Sequence, residues 1–370
     1  MTGFSGNAGY ALRWPPEILA KEIDSLVGRE SASSLDQEWA EEAMLLLRQA
    51  FTSQVPASDF DDRVWAMGVL EDHDGADMGV QWLRNLSEAA LDRSIGPSPY
   101  YSRRQQDAPD APAQTLCEIA GKVRSLVQEL FKDGYFDATF GNRCPQSPDE
   151  WGLSPKDELE RLVGKGRLWI NDPERWWDEA DLFDFIEVFH DLASRPRRAR
   201  NCDHCDEQHP SNFSQASGQP IYRALVNRLL AKSSIELRIA EAGEDAGRMV
   251  QAAPDQMGEI VSEALSGQSP DRDQISHAIA TFRHRDGTVE QRRSAVIALA
   301  RVLEQRRQFL RDELLTGDER ALFQIANNFN LRHNSEDQRD DYDPEFLDWI
   351  FYWYLATINL ADQLLAKRQQ

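Results

Sequence analysis

Residues 343–365 read DPEFLDWIFYWYLATINLADQLL, and the fold class turns on this stretch. Pro344 follows Asp343, and proline suits the first helical turn because its φ is already helical and its missing N–H would have no partner there. Beyond it Phe346, Leu347, Trp349, Ile350, Trp353, Tyr354, Ile358, Leu360 and Leu364 cover much of a helix circumference. Such a helix belongs at the centre of a bundle or in a dimer interface. Its longest apolar run, 349–358, is far short of the roughly 18–20 residues that span a bilayer, so no membrane partner is expected.

Helical spacing continues upstream. Residues 289–315 put Val296, Leu299, Leu303, Leu310 and Leu314 on one stripe, and 318–330 reads as a further helix with Asp318 as N-cap or first-turn acid. Toward the N-terminus, 15–27, 35–51, 64–70 and 79–91 are amphipathic; in the second of these Leu35, Trp39, Ala43, Leu46 and Leu47 share a face. Leu116, Ile119, Val123, Leu126, Val127 and Leu130 make another. Residues 181–192 (DLFDFIEVFHDL) predict a short helix packed on more than one side, and 220–232 a helix after an irregular stretch, 194–220. The triplet 168–170 reads as a short strand or a buried connector, 235–239 as a strand, and 137–151 as loop. The proline-rich 95–113, with its paired Tyr100 and Tyr101, interrupts all periodicity. The chain therefore divides into a helical region, 1–94, a linker or loop, 95–114, a middle helical or α+β domain, 115–255, and a C-terminal bundle, 256–370. The class is mainly α with at most a few short strands.

Composition narrows the function. Ten Trp and sixteen Phe supply large apolar groups that disordered chains rarely carry. A formal charge of −22, from 63 acidic and 41 basic side chains, disfavours a general nucleic-acid coat while leaving room for a local basic cleft. Four cysteines are too few for a disulfide scaffold. Residues 1–10 hold no basic segment followed by an apolar run, so no signal peptide is expected and the cytoplasm is the expected location.

Residues 325–343, IANNFNLRHNSEDQRDDYD, close one helix with Asn327, Asn328, Arg332 and His333 and lead into the aromatic one. An Asn pair beside Arg–His is costly to bury unless the groups bond one another or a ligand; equally, such residues suit a helix C-terminus. The run ALFQIANNFNLRHNSEDQRDDYDPEFLDWIFYWYLATINLADQLL, 321–365, resembles the C-terminal region of abortive-infection (Abi) type proteins with a HEPN-like helical bundle. HAIATFRHRDGTVEQRRSAVIALARVLEQRR, 277–307, resembles the preceding helix pair, and LFDFIEVFHDL with GQPIYRALVNRLLAKSSIELRIAEAGEDAGRMV resembles the variable domain before it.

The resemblance implies a C-terminal HEPN-like bundle, often dimeric through its last helices, preceded by a sensing or regulatory region. Its active members cut RNA without a metal or cofactor: a ribose 2′-hydroxyl attacks the adjacent phosphate, a His moves the proton and an Arg stabilises the phosphorane. Carried to this chain, Arg332 would contact phosphate, His333 would transfer the proton and Asn328 would orient them. The usual pattern spaces His four to six residues after Arg. Here the setting reads Arg332–His333–Asn334, and a literal match falls elsewhere, at Arg272 and His277. The implied role is antiphage defence, with RNA as substrate, a second copy as partner, and a phage-derived or antitoxin protein as a further partner. The other reading is a non-catalytic helical binding or sensor protein of a defence or toxin–antitoxin system.

Arg283, His284, Arg292 and Arg293 concentrate positive charge in an acidic chain, as an RNA-binding cleft needs; the alternative is a solvated face balanced by Glu290, Glu304, Asp312 and Glu313. Cys202 and Cys205, three apart, followed by His209, could hold three corners of a zinc site with Cys144 as a distant fourth, or form a plain polar loop. There is no Gly-Lys-Ser/Thr phosphate loop, no Gly-x-Ser-x-Gly elbow and no His-Glu-x-x-His helix. Nucleotide hydrolysis, serine hydrolysis and zincin chemistry are disfavoured.

Overall fold

The structure is a computed structural model that describes residues 4–28, 37–64, 73–93, 95–96, 114–141, 154–169, 177–201, 208–253, 257–267, 269–313, 322–324 and 345–368. It is mainly α-helical, with two short two-stranded sheets and no closed sheet among the described residues. No helix among them is long and apolar enough to cross a membrane. The chain falls into two compact units, Met1–Ile235 and Glu236–Gln370.

In the N-terminal unit α1 (Pro16–Val27) packs on α4 (His73–Leu91), and α2 (Gln37–Ala50) on α3 (Val55–Val64). Their core is aromatic. Phe4 meets Tyr10 and Trp82, and Phe60 meets Trp39 and Trp82, at centroid distances of 5.1–5.9 Å. Next come α5 (Leu116–Lys132), the single turn α6 (Asp137–Phe140), α7 (Pro155–Val163), α8 (Glu179–Leu192) and α9 (Gln215–Leu230). Thr115 and Glu118 form a reciprocal capping box that fixes where α5 begins. The expected connector at 168–170 holds a 3-10 turn, Gly166–Leu168, with Leu168 and Trp169 buried.

The irregular reading of 194–220 is corrected. Residues Arg195–Asn201 (β1) and Gln208–Ser214 (β2) form an antiparallel ladder in which Arg195 pairs with Ser214 and Asn201 with Gln208, and α9 starts five residues before Pro220. These strands carry almost no apolar alternation. They are held by arginines that reach acids on other helices: Arg195 donates to Glu22 at 2.6 Å and Arg198 to Glu38 at 2.5 Å. Gly218 lets α9 lie against the start of β1, because a Cβ there would fall 2.6 Å from the Arg195 backbone N.

The C-terminal unit opens with β3 (Leu237–Ile239) and β4 (Met249–Gln251), paired antiparallel; β3 lies within the strand expected over 235–239. The helices α10 (Gly258–Ser266), α11 (Arg272–Arg283), α12 (Val289–Gln305), α13 (Arg307–Glu313) and α14 (Glu345–Arg368) follow. α12 packs on α11 and α14, and α14 on α10. Their core joins Ile275, Phe282, Val296, Leu299, Leu303, Ile350, Phe351 and Ile358.

The single helix expected over 289–315 breaks at Arg306. Its side chain is pulled inward by Ser269 Oγ (2.5 Å), Asp271 Oδ2 (2.8 Å) and Asp362 Oδ1 (2.7 Å), tying the α10–α11 connection to α14. The helices expected over 64–70 and 318–330 lie almost wholly outside the described residues.

Candidate functional site

The four basic residues expected to meet nucleic acid sit where α11 turns into α12. Thr288 and Gln291 box the start of α12, and His284 ends α11. Arg283 is buried, and its Nε and Nη2 both donate to the Gln251 carbonyl, at 3.2 and 2.9 Å. Burial, helped by Arg238, brings its guanidinium down to about 10. Burial also pushes the neighbouring Tyr352 hydroxyl up.

Arg292 lies 4.6 Å over the Phe282 ring and pairs with Asp348 at the start of α14. Phe282 itself stacks on Phe351 at 3.8 Å. Arg283 and Arg292 are thus engaged in joining α11, α12, α14 and the hairpin. Arg293 is half-buried, and His284 is exposed with Nδ1 accepting from the Asp286 N–H at 3.3 Å.

Arg272 and His277 are both exposed on α11. Five residues on a helix put side chains about 140° apart, so they do not converge within one chain, and His277 Nδ1 lies 3.0 Å from Glu244. Arg332, His333 and Asn328 lie outside the described residues, as do Cys144, Cys202 and Cys205. His209 is buried on β2. It interacts with Asp137 of α6, whose carboxyl burial raises to about 6 while His209 opposes the rise. Among the described residues no group of three or more His, Cys, Asp or Glu is placed to hold a metal.

One feature went unread in the sequence, and the apolar helix expected at the end of the chain divides into two faces. In the N-terminal unit Arg195, 1 % exposed, donates to Glu22 and Gln49 at 2.6 and 2.7 Å and lies 5.2 Å over Trp14. Its only local signal was the run of arginines at 195–200. In the C-terminal unit α14 shows two faces. Leu347, Ile350, Phe351, Tyr354, Leu355 and Ile358 are buried, whereas Phe346, Trp349 and Leu360 are 46 %, 51 % and 43 % exposed. Trp353, partly buried, stacks on Trp349 at 5.6 Å. Positions 346, 349, 353 and 360 form an apolar stripe of heptad spacing, with Glu345 and Asp348 in its first turn and Lys367 and Arg368 in its last.

No protein-family model, curated protein or solved structure matches this chain.

Proposed function

We propose that the chain is an antiphage defence protein of abortive-infection type, working in the cytoplasm, whose HEPN-like C-terminal bundle pairs with a second copy and cuts RNA without a metal. The observation that carries the pairing is the exposed aromatic stripe of α14 beside its buried face. An antiparallel pair would also set Glu345 near Lys367 of the partner helix, while Asp348 and Arg368 are already paired with Arg292 and Glu313. The RNA chemistry rests on the resemblance of 321–365: Arg332 holds the scissile phosphate, His333 moves the proton of the 2′-hydroxyl, and Asn328 orients both. The N-terminal unit supplies sensing or regulation.

The test is growth and RNA integrity in cells expressing the wild type, Arg332→Ala or His333→Ala under an inducing phage challenge. Wild type is expected to fragment RNA and arrest growth, with both variants harmless. Intact RNA under every trigger overturns the catalytic reading.

A non-catalytic bundle that binds a phage-derived or antitoxin protein is favoured by one observation: Arg283 and Arg292 are already engaged inside the fold. Under that reading both substitutions leave activity unchanged, while Trp349→Glu removes it.

A further inference from the structure

The N-terminal unit contains a concavity of about 280 Å³ that the RNA-cleavage reading does not use. It lies where the end of α2 (Arg48, Gln49), the end of α5 (Lys132) and the hairpin (Pro196, Arg198, Pro210) come together. One wall is fixed. Gln49 is 3 % exposed, and its Oε1 accepts from the buried Arg195, which Glu22 holds from behind. The prolines lock the backbone of the hairpin side.

Charge is the informative property. Arg48 and Lys132 are exposed, and neither has a carboxylate partner among the described residues. Asp133, the one acid of the lining, is taken by Arg13 at 2.5 Å. Arg198 contributes a third cation, neutralised by Glu38 at 2.5 Å and Glu42 at 3.8 Å. Arg48 and Lys132 stand in the last turns of α2 and α5. The helix dipoles there amount to about half a negative charge each. Arg198 with its two glutamates leaves one negative charge, so the lining as a whole is near neutral, and Arg48 and Lys132 are the two cations at its rim without a carboxylate partner among the described residues.

The remaining wall is apolar. Leu45, Ala199 and Pro210, each half-buried, offer a surface for a flat body, and Gln54 brings an exposed amide to its edge. The volume, about 280 Å³, is just under the roughly 300–1,000 Å³ of small-molecule sites and suits one small ligand. We infer that this concavity binds a single mononucleotide, its phosphate on Arg48 and Lys132 and its base against Leu45, Ala199 and Pro210.

The experiment is isothermal titration calorimetry of the full chain at low salt with AMP, GMP, CMP and UMP in turn. Inorganic phosphate and adenosine serve as separate arms. At least one mononucleotide is expected to bind at a single site, more tightly than phosphate or nucleoside alone. Arg48→Gln and Lys132→Gln are each expected to weaken binding about tenfold, as loss of a charge-assisted phosphate contact does. Both side chains are exposed, so the melting temperature of the free protein should stay nearly unchanged. Binding of none of the four nucleotides up to about 1 mM, where the free energy is only ~4 kcal/mol, overturns the inference. So does a nucleotide affinity that survives the double substitution, or one that phosphate or adenosine alone matches. None of these outcomes bears on Arg332 or His333.

Discussion

Asp137 shows what one half-buried acid does to this fold. It opens α6 between Gly134 and β2, and burial raises its carboxyl from 3.8 to about 6 although His209 pulls the other way. The folded state therefore prefers the neutral acid. By linkage, the stability that goes with protonation is complete below about pH 4 and is lost as pH rises through about 6. Asp137→Asn should remove that loss. The variant is expected to be more stable than wild type by roughly 1–2 kcal/mol at pH 8, solvent screening allowed for, and equal to it near pH 4. Urea denaturation at the two pH values measures the difference. A variant no more stable than wild type at pH 8 would show that the carboxylate ionises there without cost.

At the scale of the element, α14 carries one buried apolar face and one exposed face, the latter being where the proposed pairing would occur. Ile350 is fully buried in the C-terminal core, whereas Trp349 beside it is half exposed. Ile350→Ala is expected to cost about 2–5 kcal/mol of stability, as a large-to-small change in a packed core does. Trp349→Ala should cost less than about 1 kcal/mol and instead reduce self-association, read by light scattering across a dilution series. Loss of stability as large in Trp349→Ala as in Ile350→Ala would contradict this division.

The same helix explains what was legible in the sequence. Apolar spacing located α1, α2, α5, α8, α12 and α14 because each buries a regular stripe, and those stripes are local. Helix α3, VPASDFDDRV, has too few apolar residues to show one, and β1 and β2 have none to speak of. They are positioned by ion pairs from far along the chain, Arg195 to Glu22 across 173 residues and Arg198 to Glu38 across 160. Of the candidate site, the clustering of Arg283 and Arg292 was visible, but their engagement was not. Gln251 is 32 residues from Arg283, and Asp348 is 56 from Arg292. No local pattern encodes such partners.

At the scale of the molecule, the two units hold separate stores of buried surface. Among the described residues the C-terminal core is drawn from 253–361, and the Arg306 cluster ties its helices through Ser269, Asp271 and Asp362. The N-terminal unit has its own aromatic core, in which Phe185 lies 4.6 Å from Phe189 and Phe136 5.1 Å from Phe189. A unit with a complete core unfolds as its own cooperative block. Scanning calorimetry should then resolve two transitions. Leu299→Ala, in the C-terminal core, is expected to lower one of them by about 2–4 kcal/mol of stability and leave the other in place, and Phe185→Ala should do the reverse. The fragment 236–370 should melt at the temperature of the transition that Leu299→Ala moves, because among the described residues the side chains of that core all lie within it. A single transition displaced alike by both substitutions would mean that neither core stands without the other.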